Sequence, residues 1–289
     1  MERTIKIGTR KSKLAMWQAK YVESLLNSHG YICEIIGITT LGDKIEKPLY
    51  DFGGKGLFTG ALEEALLSKT IDIAVHSVKD VSVIENDQLP LKFILKRDYH
   101  QDCLVSFKGP IDKLPHGAFI GTTSLRRRVC LKHIRNDLEF VDFRGNLDTR
   151  LEKLKKGMVD AIVVSKSGLK RLGLYDSAYC FDLDIVSSAG QGVIGVQTRL
   201  DEFDELNFLD DSQTHLCVSI ERKFVKALNA SCNFPIGAYA YFSENDQFCL
   251  KTMYADPKTF KKIDCFKCGL PQQVLKECIE YTKNKLVYI

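Results

Sequence analysis

The sequence predicts an α/β protein that ends in a smaller α+β unit, and three observations lead there. Apolar runs of strand length alternate with amphipathic stretches of helix length over the first 170 or so residues, the pattern of a mainly parallel sheet covered by helices. Two short segments, 121–127 (GTTSLRR) and 144–150 (RGNLDTR), each read as the end of a strand turning into a helix, with arginines at the turn. After about residue 236 the pattern changes to the two-residue alternation of antiparallel strands.

In order, residues 4–8 read as a strand, 14–27 as an amphipathic helix, 32–39 as a strand, 57–68 as a helix, and 71–75 and 91–95 as strands. The same style returns with a strand at 119–122, helix 125–134, strand 139–143, helix 147–156, strand 159–164 and a short helix at 168–172. No sequence repeat accompanies this repeated architecture. Helix 216–228, strands 237–242, 247–254 and 262–267, and a closing helix at 272–285 make the last unit.

The 289 residues allow two or three domains of about 100–150 residues each. With 45% hydrophobic and 27% charged residues, the composition is that of an ordinary globular chain. A net charge of +4 is too weak and too scattered to argue for nucleic acid, but it suits a small anionic ligand. No run approaches the roughly 18 apolar residues of a membrane span, and the N-terminus enters a strand directly with no leader pattern, so a cytoplasmic location is expected. The ten cysteines then read as reduced thiols, and Cys265-x-x-Cys268 lacks the second pair that a zinc site would need.

Helix N-termini present unpaired N–H groups and the positive end of a dipole. Guanidinium forks placed there make sites for carboxylates or phosphates. Two such turns in successive strand–helix units point to one ligand carrying several anionic groups. Segments 8–10, 76–80 and 166–171 also fall at or just after strand ends, where open α/β sheets bind ligands. Residues 53–56 (GGKG) lack the Lys-Ser/Thr of a phosphate loop; they read as part of a lid over about residues 43–57 that includes Lys55. Residues 190–195 spell G-x-G-x-x-G without the preceding strand of a dinucleotide fold, and read as the segment that returns the chain to its first domain.

Segments 7–19 (IGTRKSKLAMWQA), 53–58 (GGKGLF), 72–80 (DIAVHSVKD), 121–127, 144–150, 168–173 (GLKRLG) and 189–192 (AGQG) resemble the porphobilinogen deaminase (hydroxymethylbilane synthase) family, in the family's order, from about residue 5 to about residue 240. The resemblance implies two periplasmic-binding-protein-like α/β domains with a cleft between them, residues 1–97 with 189–210 and residues 98–188, and a third α+β domain, 211–289. It implies a transferase of haem biosynthesis. Such an enzyme joins four porphobilinogen molecules head to tail on a dipyrromethane cofactor, releases ammonia each time, and hydrolyses off 1-hydroxymethylbilane. It also implies a monomer that hands its product to the next pathway enzyme.

Residue by residue, the resemblance makes Asp80 the catalytic aspartate and Cys232 the thioether attachment point. It makes Arg10, Arg126, Arg127, Arg144, Arg150 and Arg171 the partners of the acetate and propionate groups. Lys79 is implied as a further cofactor contact, with hydrogen bonds from Ser12 and Ser124. His76 follows a buried strand and reads as a structural histidine. Arg128 reads as a solvated neighbour. The chain departs from the family pattern at Ala230 and Ser231, where two glycines are usual before the cysteine, and at Asp148, which puts a negative charge between two binding arginines. Of two other readings, an anion-binding two-lobed sensor would have no use for a cysteine in its third domain. An inactive relative would not be expected to keep Lys79, Asp80, Cys232 and six arginines.

Overall fold

The computed structural model describes residues 4–44, 57–84, 86–229 and 234–286. The chain divides into two compact units, residues 1–98 with 192–216 and residues 99–191 with 217–289.

In the first unit, β1 (Ile5–Arg10) leads into α1 (Lys13–Ser28), β2 (Cys33–Ile38), the short α2 (Leu41–Lys44), α3 (Gly60–Leu67), β3 (Ile73–Ser77) and β4 (Leu91–Ile94). A late strand, β10 (Ile194–Gln197), completes a five-stranded sheet of order β2-β1-β3-β10-β4. Alternation along the strands clothes both faces. Ile5, Ile7, Ile73 and Val75 pack under Ala19, Val22 and Leu26 of α1. Ala74 faces the other way, with Leu62 and Leu66 of α3. Helix α1 buries Ala15, Gln18, Ala19, Val22 and Leu26, one stripe at helical spacing.

The second unit begins with β5 (Asp102–Val105), followed by β6 (Phe119–Gly121), α4 (Leu125–Ile134), β7 (Glu139–Val141), α5 (Leu147–Lys155), β8 (Ala161–Ser165), α6 (Lys166–Arg171) and β9 (Cys180–Leu183). Its sheet has the order β7-β6-β8-β5-β9. The two sheets share one plan. Three neighbouring strands run parallel, the fourth is antiparallel to both its neighbours, and the fifth is antiparallel to the fourth. Four of the five strands in each sheet therefore point the same way. The reversed strand in each case, β10 or β5, is the first strand after the chain changes unit. The repeated architecture expected from the sequence is thus a repeated strand order.

The same unit continues through most of α7 (Ser212–Ala227) into an antiparallel sheet, β11 (Ile236–Phe242), β12 (Phe248–Ala255) and β13 (Lys262–Cys268), backed by α8 (Pro271–Leu286). Gly237 sits where β11 meets the chain at 186–187. A Cβ there would lie 2.9 Å from the carbonyl oxygens of both Val186 and Ser187, so only glycine fits. Cys249 and Cys268, register partners on β12 and β13, form a disulfide, which corrects the expectation that every cysteine is a free thiol. Cys265 faces instead toward α8, its sulfur 3.6 Å from that of Cys278.

Candidate active site

In the first unit the candidate residues gather where β1 and β3, parallel neighbours, reach their carboxyl ends. Arg10 is the last residue of β1. Ser12 caps α1, its hydroxyl accepting from the Ala15 N–H at 3.3 Å. Strand β3 ends at Ser77, two residues beyond the end expected from the sequence, and a single 3₁₀ turn, Val78–Asp80, follows. That turn buries Val78 completely and leaves the Asp80 side chain exposed. Arg10, Ser12, Gln18, Phe58, His76, Ser77 and Asp80 line one small cavity of about 50 Å³. The Arg10 guanidinium lies 4.3 Å from the centroid of the Phe58 ring, a cation–π contact that fixes its direction. Gln18 and Ser77 hold each other by two side-chain hydrogen bonds, 2.8 and 3.1 Å, and so tie α1 to the end of β3. Lys79 precedes Asp80 in the 3₁₀ turn and is half-buried.

His76 is buried and sits 3.1 Å from the Gln197 side-chain oxygen on β10, which makes its Nε2 the protonated nitrogen. Burial lowers its pKa from 6.5 to about 4; the Gln197 hydrogen bond opposes this and the Arg10 charge adds to it. His76 is therefore neutral at pH 7 and pins β3 to β10, the structural role expected of it.

In the second unit, β7, β6 and β8 are adjacent and parallel, so the segments leaving their carboxyl ends lie along one sheet edge. Ser124 caps α4, accepting from the Arg127 N–H at 3.4 Å. Arg126 and Arg127 open that helix, yet they are only 3% and 9% exposed. Both close on Asp102 at the start of β5, itself fully buried. Arg126 Nη1 is 2.7 Å from one carboxylate oxygen. Arg127 donates to the other through Nε and Nη2, at 3.0 and 2.7 Å. Arg126 also donates to the Ser188 hydroxyl and the Val186 carbonyl, and Arg127 to the Val163 carbonyl. Burial alone would raise the Asp102 pKa; the two guanidinium charges, with hydrogen bonds from Arg126 and Gln191, hold it well below the usual carboxylate range. Two cations around one anion leave the cluster with one net positive charge.

Arg144 ends the chain's passage from β7, and Gly145 at φ +117° makes the turn that an L side chain would strain. Asn146 precedes α5, and Asp148 stands in that helix's first turn, where a carboxylate meets unpaired N–H groups and the favourable end of the dipole. This placement gives Asp148 a structural reason to be there. Arg150 lies half-buried one turn further along, and Arg171 closes α6 at 9% exposure. Arg128 is not a solvated neighbour, as the sequence suggested. Its Nε and Nη2 bind the Thr122 carbonyl at 3.0 and 2.7 Å and its Nη2 pairs with Asp142, which locks the turn between β6 and α4.

Cys232, the departures at Ala230 and Ser231, and Lys55 with most of the expected lid lie outside the described residues. Two acidic residues escaped the sequence reading. Asp102 is one. The other is Glu221 of α7, fully buried, whose two oxygens accept from the N–H groups of Gly190 (2.7 Å) and Ala240 (2.8 Å). It thereby fixes the turn that carries Gln191. A lone acidic residue in a sequence carries no mark of this role, since its partners lie 19 to 89 positions away.

In each unit the strand ends bear cationic side chains and helix N-termini, and in the first an exposed carboxylate shares a cavity with Arg10, features of an α/β enzyme that handles an anionic small molecule. A family model for the porphobilinogen deaminase dipyromethane cofactor binding domain matches residues 5–206, and one for the porphobilinogen deaminase C-terminal domain matches residues 215–279. Porphobilinogen deaminase of Helicobacter hepaticus is 47% identical over 252 residues, 84% of this chain and 78% of that protein. That of Rickettsia bellii is 41% identical over 255 residues, 85% of each chain. Among solved structures, the chain is similar to the periplasmic VFT2 domain of Bordetella pertussis BvgS, with 14% identity over 72% of this chain and 85% of that one and a TM-score of 0.42. The chain belongs to the porphobilinogen deaminase family. It is accordingly a transferase with the family's hydroxymethylbilane synthase function in tetrapyrrole biosynthesis, and its matched domain is one that binds dipyrromethane.

Proposed function

We propose that this chain condenses four porphobilinogen molecules head to tail on a dipyrromethane attached to Cys232, with Asp80 as the catalytic group, and then releases 1-hydroxymethylbilane by hydrolysis. The donor set fits such a ligand. Each pyrrole ring of the substrate carries an acetate and a propionate, and the residues at the strand ends are guanidiniums and helix N-termini, which pair with carboxylates. When bound, the dipyrromethane supplies the pyrrole carbon to which the first substrate ring is joined.

The other steps belong to side chains. Arg10 meets one carboxylate with its guanidinium held in place by Phe58. Arg126 and Arg127 meet others from a position already set by Asp102. In the second unit Arg144, Arg150 and Arg171 add further cations and Ser124 a hydroxyl; in the first, Lys79 and Ser12 add an ammonium and a hydroxyl. A guanidinium fork orients a carboxylate as well as neutralising it, so each ring is delivered in register with Asp80. The Asp80 carboxylate then accepts from the pyrrole N–H groups, stabilises the positive charge that develops as ammonia leaves, and takes up the proton lost when the new carbon–carbon bond forms.

The observation that carries this reading is the exposed Asp80 carboxylate at the carboxyl end of β3, in the same cavity wall as Arg10. Asp80→Asn keeps size and hydrogen bonding and removes the charge and the base. Its turnover of porphobilinogen is expected to fall by about 10²-fold or more, with bound pyrroles retained; near-normal turnover would overturn the assignment. We further propose three domains, residues 1–97 with 189–210, 98–188 and 211–289, in a monomeric cytoplasmic enzyme that passes its product on. Among the described residues no helix is long and apolar enough to cross a membrane.

A further inference from the structure

A second cavity lies within the second unit, away from the strand ends. It has a volume of about 460 Å³, within the range of small-molecule sites, and is enclosed by α4, the segment at 184–186 and the C-terminal sheet. One wall is aromatic. The His100 and Tyr239 rings stack with centroids 3.6 Å apart, Tyr241 continues the stack 5.2 Å beyond, and Phe266 stands 56% exposed among the lining residues. The polar groups are few. Lys262 is paired with Asp264 at 2.8 Å, whereas Lys251 has no carboxylate partner among the described residues and its Nζ stands 5.9 Å from the Phe266 centroid.

We propose that this cavity binds a planar aromatic carboxylate. The ring lies against the aromatic wall, and the carboxylate meets the Lys251 ammonium. Two of its walls also hold the arginine cluster. The Val186 carbonyl accepts from Arg126 Nη1 at 2.6 Å, and the His100 carbonyl accepts from Gln191, which itself binds Asp102. Occupancy is therefore felt at Arg126 and Arg127. Binding does not depend on the function proposed above, but an effect on turnover does.

The test titrates naphthalene-2-carboxylate into the purified holoenzyme by calorimetry, beside the neutral naphthalene-2-methanol. Saturable one-to-one binding is expected, about tenfold weaker for the alcohol and about tenfold weaker for Lys251→Gln, the size of one lost charged hydrogen bond. Phe266→Ala, a change at an exposed position, weakens it as well. Absence of saturable binding overturns the proposal. So does unchanged affinity in Lys251→Gln, the result if the probe lodges among the active-site arginines. Saturating probe is expected to change kcat in the parent enzyme and not in Lys251→Gln; binding with unaltered kcat in both overturns the coupling. An enzyme with no turnover before any probe is added counts against the proposed function, and the calorimetric arm still decides the cavity.

Discussion

Gln191 donates to the same carboxylate oxygen of Asp102 that holds Arg127, at 3.1 Å. The second oxygen faces Arg126. Asp102 is thus a fully buried anion that sets the direction of two buried guanidiniums, and Glu221 fixes Gln191 through the N–H of Gly190. The cluster is arranged by the protein before any ligand carboxylate enters it. Preorganisation of this kind places binding groups without a reorganisation cost at the moment of binding.

Asp102→Asn should therefore do more than a substitution at a surface ion pair. Removing the charge leaves two guanidiniums with no buried counter-ion, a change that costs about 3–5 kcal/mol in comparable settings. Urea unfolding is expected to show a loss of that order, and kcat/KM for porphobilinogen to fall along with it. A variant with unchanged stability and unchanged kcat/KM would show that the arginines do not rely on Asp102.

Asp148 presents the opposite case, a charge whose value is local. Asp148→Asn gives up the interaction with the α5 N-terminus, about 0.3–1 kcal/mol. It also removes a negative charge from the stretch between Arg144 and Arg150. The expected outcome is slightly lower stability by urea unfolding and a KM for porphobilinogen reduced about twofold, the size of a partly screened surface charge effect. A raised KM would mean that Asp148 contributes to substrate binding.

His76 gives a pH dependence whose sign is fixed. Its pKa in the folded chain is about 4, below the ordinary 6.5, so the unfolded chain binds more protons between those values. Stability from neutral His76 is complete above pH 6.5 and is lost as the pH falls toward 4, by an amount of order 3 kcal/mol over the window. His76→Gln keeps an N–H donor for Gln197 and removes the titration. The difference in unfolding free energy between parent and variant should shrink from pH 7 to pH 4. A constant difference would show that His76 does not titrate as its burial requires.

Much of this was legible in the sequence. Helix α4 spans Leu125–Ile134, the bounds that strand–helix alternation gives it in the sequence. The catalytic candidates stand at strand ends because strand–helix alternation places them there. What escaped notice is non-local. Strands β5, β9 and β10 were not anticipated: they are four residues each, β5 starts with a charged residue, and β10 follows a glycine-rich run, so none has a clear period. Asp102 belongs to one of them, and its meaning comes from Arg126 and Arg127, 24 and 25 positions later. The arginines were legible as anion binders. That part of their charge is held by an internal carboxylate was not, because only the folded sheet brings β5 beside β8 and under α4. The disulfide between Cys249 and Cys268 was hidden likewise, since strand register and not spacing pairs them.

The intact mass of the purified active protein, followed by peptide mapping, decides whether a primer of two linked pyrroles held on Cys232 is elongated beside Asp80. An excess over the sequence mass equal to two linked pyrrole units is expected, located on the peptide that contains Cys232 and absent from Cys232→Ser. An active protein whose mass equals that of its sequence, or one that carries the excess on another cysteine, would contradict it.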